Sequence, residues 1–398
     1  MSGWMEMDAD RIYELARERV RALNLKIKGL MPPADADLSK PPAVNILRDE
    51  MHGRIVRRAV ITLTSRGCEW AHSEKGSGGC TMCGHYLGTT RGRKPDPYEH
   101  AEQFRKQFES LDHNEIEWLC LYNSGNFLNP EEVDPLTRGK IYDLIADYPN
   151  IRRLTIETRP EFVNELVLRE LNQYLGQIEV EIGIGIETTS DLVRDLCINK
   201  GYGYKEFSAA VDLINSYHLK PLAYALMKPA FMTEYEAILN TLSAVAHAFE
   251  SGVKVVSIEA GSIQDYTLLD YLYKGGQYEP PMIWSVIEVV RMINSIVTMG
   301  DSALQHPNTP ELRIGGYVFF PVPLKFSQNC GKCNQRAMDL IEQFNLTNDI
   351  KVFESYSCDC REVWITRLRD RKPPYPVRIN STLDELEHRN LLAEFMGK

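Results

Sequence analysis

The chain has 398 residues, is 43% hydrophobic and 25% charged, and carries a formal net charge of −10; this ordinary globular composition leaves room for one large domain and one or two smaller pieces. No run reaches the ~18 apolar residues of a membrane span, and the acidic, helical start MSGWMEMDADRIYEL is not a secretory signal, so a cytoplasmic protein is expected. The negative balance excludes a chain that binds nucleic acid over its whole surface, because phosphates are met by Lys and Arg, and any such partner must find a local patch.

Residues 8–30 read as a helix, which LMPPADADLSKPP ends with four prolines. Residues 1–53 are therefore an N-terminal helical extension and Pro-rich linker. From residue 54 onward short β-branched runs alternate with amphipathic helices. VRRAVITLTS, IEWLCLYNS, IRRLTIET, IEVEIGIGIET, LKPLAYALMKP and KVVSIEAGSI give six strands, apolar enough to be buried parallel ones. Serial βα units make an α/β barrel or a doubly wound sheet. The polar and glycine-rich clusters follow the strands directly, as they do in barrels whose sites lie on the carboxyl-end loops. The expected architecture is a partial (β/α)6 TIM-type barrel over residues 54–300, with a small C-terminal domain over 301–398 bearing a four-Cys metal site.

Nine cysteines in such a chain do not form a secreted disulfide framework. Cys120 and Cys197 lie in apolar stretches and read as buried, inert thiols. Cys68, Cys80 and Cys83 are spaced C-x11-C-x2-C and lack a fourth cysteine. The spacing leaves two readings open: a closed zinc site completed by His72 or His85, or a [4Fe–4S] cluster on three thiolates with one iron free for a small molecule. The position on the first strand-end loop, where other strand ends meet it, favours a cofactor site. Cys330, Cys333, Cys358 and Cys360 supply the four thiolates of a tetrahedral Zn2+ site, with a second iron–sulfur cluster as the other reading. Two basic groups are candidate nucleic-acid patches or merely solvated faces: Arg54, Arg57 and Arg58, and the span 351–378, which holds seven basic residues against four acidic ones. Asn123, Ser124 and Gly125 follow the second strand, where glycine permits close backbone approach to a ligand or simply turns the chain. Glu157 and Arg159 follow the third, Glu187 the fourth, Lys228 the fifth and Glu259 the sixth, all facing one mouth.

The cysteine triad in the first loop of a six-unit barrel resembles the radical S-adenosylmethionine (SAM) superfamily. The long first spacing and IETRP, residues 156–160, are similar to the branch containing the elongator catalytic subunit. Within that branch GGCTMCGHY, SGNFLNP, LMKPAFMTEYEAI, CGKCN and CDCREVW resemble the radical SAM subunits of archaeosine synthases. The resemblance covers the chain from about residue 54. The elongator relatives carry an acetyltransferase domain after the barrel, and the residues here leave no room for one, which argues against acetyl transfer. The resemblance implies that Cys68, Cys80 and Cys83 hold a [4Fe–4S] cluster whose open iron binds SAM. It also implies that Asn123, Ser124 and Gly125 take the SAM amine, and that a 5'-deoxyadenosyl radical is made. Glu157 and Arg159 then fit ribose hydroxyls and a carboxylate, with Glu187, Lys228 and Glu259 as further SAM or substrate contacts. The implied reaction cleaves a C–N bond of a lysine adduct on a 7-deazaguanine base in tRNA, giving archaeosine and a semialdehyde. The implied partners are tRNA, a transglycosylase-like synthase subunit in a heteromeric complex, and an electron donor, with no membrane. The alternatives are another radical SAM tRNA enzyme, methylthiotransferase or elongator-like, and a non-enzymatic zinc protein that binds nucleic acid. Methylthiotransferases normally bring extra cluster cysteines ahead of the barrel, and the first 67 residues hold none.

Overall fold

The computed structural model of the chain describes residues 7–299, 311–317 and 321–396. Its centre is one eight-stranded sheet in sequence order: β1 (Ala43–Met51), β2 (Arg54–Thr62), β3 (Ile116–Tyr122), β4 (Arg153–Glu157), β5 (Glu179–Gly185), β6 (Lys220–Met227), β7 (Val255–Ala260) and β8 (Glu311–Gly315). The pairs from β2 to β8 are parallel, as the helical crossovers between them require. The first is an antiparallel hairpin through His52 and Gly53, both at positive φ. The six strands read from the sequence are β2 to β7. Two more extend the open half-barrel: β1, whose run of charges hides its alternation, and β8, only five residues long.

Alternation along each strand divides its residues between two environments. Ala59, Ile61, Leu119, Leu121, Leu154, Ile156, Val180 and Ile182 pack outward against the helices in the main core. Inward residues are of another kind. Met51, Val56, Val60, Trp118 and Cys120 form a separate small cluster, and beside it lies a layer of buried charge. Glu181 is fully buried, accepts both arms of Arg313 at 3.0 Å, and has Lys220 at 3.1 Å and Arg153 at 3.6 Å. Arg58, Arg153 and Arg313 lie 5.0, 4.6 and 4.6 Å from the centre of the Trp118 ring, which offers its negative face to the surplus cations. This layer fills the amino end of the barrel and leaves the carboxyl end for chemistry.

The N-terminal helix, Ala9–Gly29, is capped by Asp8 and packs on the C-terminal helix Tyr375–His388. Arg19 reaches the Asn380 carbonyl at 3.2 Å and Asp384 at 2.9 Å, while Arg378 grips Glu236 at 2.7 and 2.8 Å and the Phe231 carbonyl at 2.6 Å. The two ends of the chain thus brace each other against the barrel.

The charges around Glu181 hold its pKa well below the usual carboxylate range despite its burial. A depressed folded pKa means this contribution to stability is present above the unfolded value of ~4.3 and is lost as pH falls toward the folded one. Glu181→Leu strands two buried cations, Arg153 and Arg313, and the half-buried Lys220, so urea unfolding at pH 7 is expected to show a loss of about 3–5 kcal/mol. That difference shrinks once the pH is low enough to protonate the wild-type carboxylate.

Candidate active site

The loop after β2, residues 63–96, carries Cys68, Cys80 and Cys83 as free, partly exposed thiols. It has only one turn of α-helix and short 3-10 turns, so its backbone must be satisfied from outside. Asn24 of the N-terminal helix donates to the Ser77 and Gly79 carbonyls at 2.9 Å each, and Lys28 donates to the Cys83 carbonyl. From the loop after β5, Asn199 donates to Gly76 at 2.7 Å and Gly79 at 2.9 Å, and its own carbonyl accepts from the Trp70 indole at 2.7 Å. Thr81 bonds the carbonyls of Ile198 and Cys197 at 2.9 and 2.6 Å, through one turn of π-helix, Arg194–Ile198. Gln264, after β7, takes the Gly84 amide. The histidine reading of the triad loses its first candidate here, because His72 uses both ring nitrogens, on the Arg66 carbonyl and the Tyr86 hydroxyl, at 2.8 Å each. His85 has Gln264 at 3.5 Å. Burial pushes the Cys68 thiol up to about 12, with the Glu132 carboxylate adding to it.

Of the eight other candidate residues, Ser124, Glu187 and Lys228 have φ of 54°, 55° and 64°, left-handed conformations immediately beyond β3, β5 and β6. Such strain in non-glycine residues concentrates at ligand sites. Asn123 is fully buried with its carbonyl on Ser65 Oγ at 2.7 Å and its side-chain oxygen without a partner. Gly125 permits a close approach to a side chain rather than to a ligand: a Cβ there would lie 2.0 Å from Glu132 Oε2. Arg159 stacks on Trp70 and Tyr202, 4.9 and 4.8 Å from the ring centres, and bonds Glu161 at 2.6 Å and the Lys200 carbonyl at 2.8 Å. Glu187 is paired with Lys200 at 2.5 Å. Lys228 is buried against Glu234 at 2.8 Å, and Glu234 also takes Ser285 Oγ at 2.7 Å and the Met282 amide at 2.6 Å, so its visible bonds tie β6 to two helices. Glu259 accepts from Ser257 Oγ at 2.7 Å.

Glu157 and Glu259 are both pushed up to about 7, chiefly by burial, with Glu187 adding to each; Tyr224 and Lys200 oppose the shift at Glu157, and Ser257 and Arg58 oppose it at Glu259. A carboxyl whose folded pKa exceeds its unfolded value of ~4.3 opposes folding when ionised, and the penalty is relieved as pH falls below 7. Neither forms an ion pair among the described residues.

Sequence reading missed Glu132, Asn126, Lys200 and Trp70. Glu132 lies in SGNFLNPEEV but is joined to the cysteine loop only by the fold, through the Glu69 amide at 2.8 Å. The candidate patch Arg54, Arg57 and Arg58 is neutralised by Glu117, Glu115 and Asp49. At the other candidate patch Arg378 is buried in its ion pair, while Arg361, Arg367, Arg369, Arg371 and Lys372 are exposed. Beside them the sulfurs of Cys330, Cys333, Cys358 and Cys360 lie within 4.8 Å of one another, with contacts of 3.5, 3.7 and 3.6 Å. The Trp284 indole donates to Cys360 Sγ at 3.3 Å. Cys120 and Cys197 are fully buried, as expected.

No protein-family model matches the chain. The fold places the chain among open α/β half-barrels with a cysteine-bearing loop after the first parallel strand. By sequence it is similar to archaeosine synthase subunit beta. It is 26% identical to that protein of Methanosarcina acetivorans over 343 residues, 85% of this chain and 93% of the relative. To its namesake from Thermococcus kodakarensis it is 29% identical over 245 residues, 61% and 72%. An uncharacterized protein of Methanocaldococcus jannaschii is 29% identical over 340 residues, 82% and 87%. Solved structures are more distant. Methanocaldococcus infernus Elp3 has a TM-score of 0.44 at 18% identity, over 63% of this chain and 60% of that one. Methylornithine synthase has 0.42 at 9%, over 91% and 93%.

The link between the cysteine loop and β5 is testable without any cofactor. Asn199→Ala removes two bonds to otherwise buried carbonyls and places alanine at a φ of 55°. A loss of about 2–4 kcal/mol is expected in urea unfolding, with faster proteolysis between residues 73 and 80.

Proposed function

We propose that the chain is a radical SAM enzyme of tRNA modification that completes archaeosine by cleaving the C–N bond of a lysine adduct on a 7-deazaguanine base. The observation that carries it is a loop bearing three half-buried free cysteines, tied down from three sides beside the strand ends of a half-barrel. The names of two relatives supply the product, archaeosine, and the lysine adduct is what the sequence resemblance implies. Three thiolates suit a [4Fe–4S] cluster that keeps one iron open, and Cys68, Cys80 and Cys83 would hold it. The bound cluster and SAM supply a 5'-deoxyadenosyl radical.

The chain's own residues do the rest by positioning. The Asn123 side-chain oxygen, buried and without a partner, accepts from the SAM amine. Arg159 and Lys200, whose charges act on Cys80, would meet the SAM carboxylate. Glu157 and Glu259 suit ribose hydroxyls, the SAM cation or the ammonium of an amino-acid adduct. On the substrate, the carbon beside the adduct nitrogen gives up a hydrogen atom and one further electron, a two-electron oxidation for which SAM would be the overall oxidant, ending as methionine and 5'-deoxyadenosine. Water then supplies the oxygen of the released semialdehyde, and the nitrogen stays on the base as the amidine.

The four C-terminal thiols fit one ion. A tetrahedral zinc with Zn–S of about 2.3 Å sets its sulfurs about 3.8 Å apart, close to the 3.5–3.7 Å found here. A four-iron cluster would hold them farther apart. Zn2+ at this place anchors the segment that exposes Arg361, Arg367, Arg369, Arg371 and Lys372 to tRNA. A transglycosylase-like partner subunit carries the remaining tRNA affinity, and a separate donor supplies electrons.

Anaerobic protein incubated with SAM, reductant and lysine-adducted tRNA is expected to yield 5'-deoxyadenosine and archaeosine together; absence of both sinks the proposal. Metal analysis should find iron with brown colour and, separately, one zinc. Cys80→Ala loses the iron and keeps the zinc, whereas Cys358→Ala does the reverse. With Glu157 and Glu259 near 7, SAM affinity is expected to fall severalfold between pH 8 and 6, because protonation removes the charges that meet a cationic ligand. Equilibrium dialysis measures it, and Glu259→Gln should flatten the profile.

A further inference from the structure

The Asn126 side chain, 2% exposed, stands between two groups. Its amide nitrogen lies 2.6 Å from Glu132 Oε1 and 3.6 Å from Cys68 Sγ. The Glu132 carboxylate, 1% exposed and in no ion pair among the described residues, also accepts the backbone amide of Asn126, the Asn129 side chain at 3.0 Å and the Glu69 amide at 2.8 Å. A buried carboxylate is costly unless its lone pairs are met, and here N–H groups from the β2 and β3 loops meet them.

This arrangement settles which way the amide faces. If Asn126 were turned over, its oxygen would face a carboxylate oxygen 2.6 Å away, two acceptors with no proton between them. Glu132 therefore claims one N–H, and the second is left to point at Cys68. A neutral thiol has little use for such a donor, whereas a thiolate bound to iron has much. An N–H dipole aimed at a ligand sulfur stabilises the extra negative charge that reduction brings, and so raises the potential.

We propose that Asn126 and Glu132 are positioning residues for an iron–sulfur cluster on Cys68: Glu132 locks the Asn126 amide, which donates to the ligand sulfur and eases the cluster's reduction. The proposal rests on the radical SAM reading and adds to it a residue pair outside the thiol triad.

The test is a redox titration, by electron paramagnetic resonance, of anaerobically reconstituted full-length protein. Asn126→Leu keeps the shape and removes the donor. It is expected to bind the same iron as wild type but to be reduced about tenfold less favourably, a midpoint about 59 mV lower for a one-electron couple. Asn129→Ala, which removes a donor to the same carboxylate without touching sulfur, should keep the wild-type midpoint. An unchanged midpoint in Asn126→Leu, or an equal shift in Asn129→Ala, overturns the proposal while leaving the radical SAM reading intact. Should Asn126→Leu fail to assemble a cluster, pulsed resonance on reduced wild type with 15N in the asparagine side chains decides. A coupled nitrogen supports the bond, and none refutes it. Wild-type protein that assembles no cluster under any reconstitution overturns both this proposal and the reading beneath it.

Discussion

A long irregular loop can be half-buried only if its amides and carbonyls find partners elsewhere, because burying them unpaired costs more than a small domain can spare. The segment between β2 and the first barrel helix is such a loop, and much of the surrounding structure follows from that requirement. The N-terminal helix lends Asn24 and Lys28, the β5 loop lends Thr81 its carbonyl partners and Asn199 its amide, and the β7 loop lends Gln264. The C-terminal helix matters to the site at one remove, because it holds the N-terminal helix in place. Three thiols that would drift on a free loop are thereby given fixed positions.

The sheet beneath divides the work. Outward residues are apolar and glue the helices on, so stability does not depend on the barrel interior being greasy. The interior is free to carry Glu181 with its three cations at the amino end, and Glu157, Glu187 and Glu259 near the mouth. Five exposed cations, Arg361, Arg367, Arg369, Arg371 and Lys372, cluster beside the four-thiol centre.

Six strands were legible because each shows branched apolar residues between turn signals. The two that extend the sheet were not. In β1 the run NILRDEM alternates too weakly against its charges, and its pairing is supplied by the β2 hairpin. In β8 five residues carry Arg313, whose burial makes sense only beside Glu181. Around the mouth, residues directly after strands could be proposed in advance as candidates, since a parallel sheet exposes those positions by construction. Lys200, Trp70, Asn126 and Glu132 could not. Each is distinguished by what it touches across tens of residues of chain, and nothing in its local pattern marks it. Whether the basic run ahead of the first cysteine is a patch or a solvated face was undecidable for the same reason: its partners Glu117 and Asp49 come from the neighbouring strands and Glu115 from the turn before β3.

Residue types and short spacings, then, were enough to establish the donor chemistry: three thiols here, four there, and polar groups at successive strand ends. Those features are local, and covalent proximity carries them into any fold. Which charges neutralise one another, which carboxylates stay uncompensated, and which amide faces Cys68 emerged only on folding. Such properties depend on distances of a few ångströms between segments far apart in the chain, and on burial that makes each unmet group expensive.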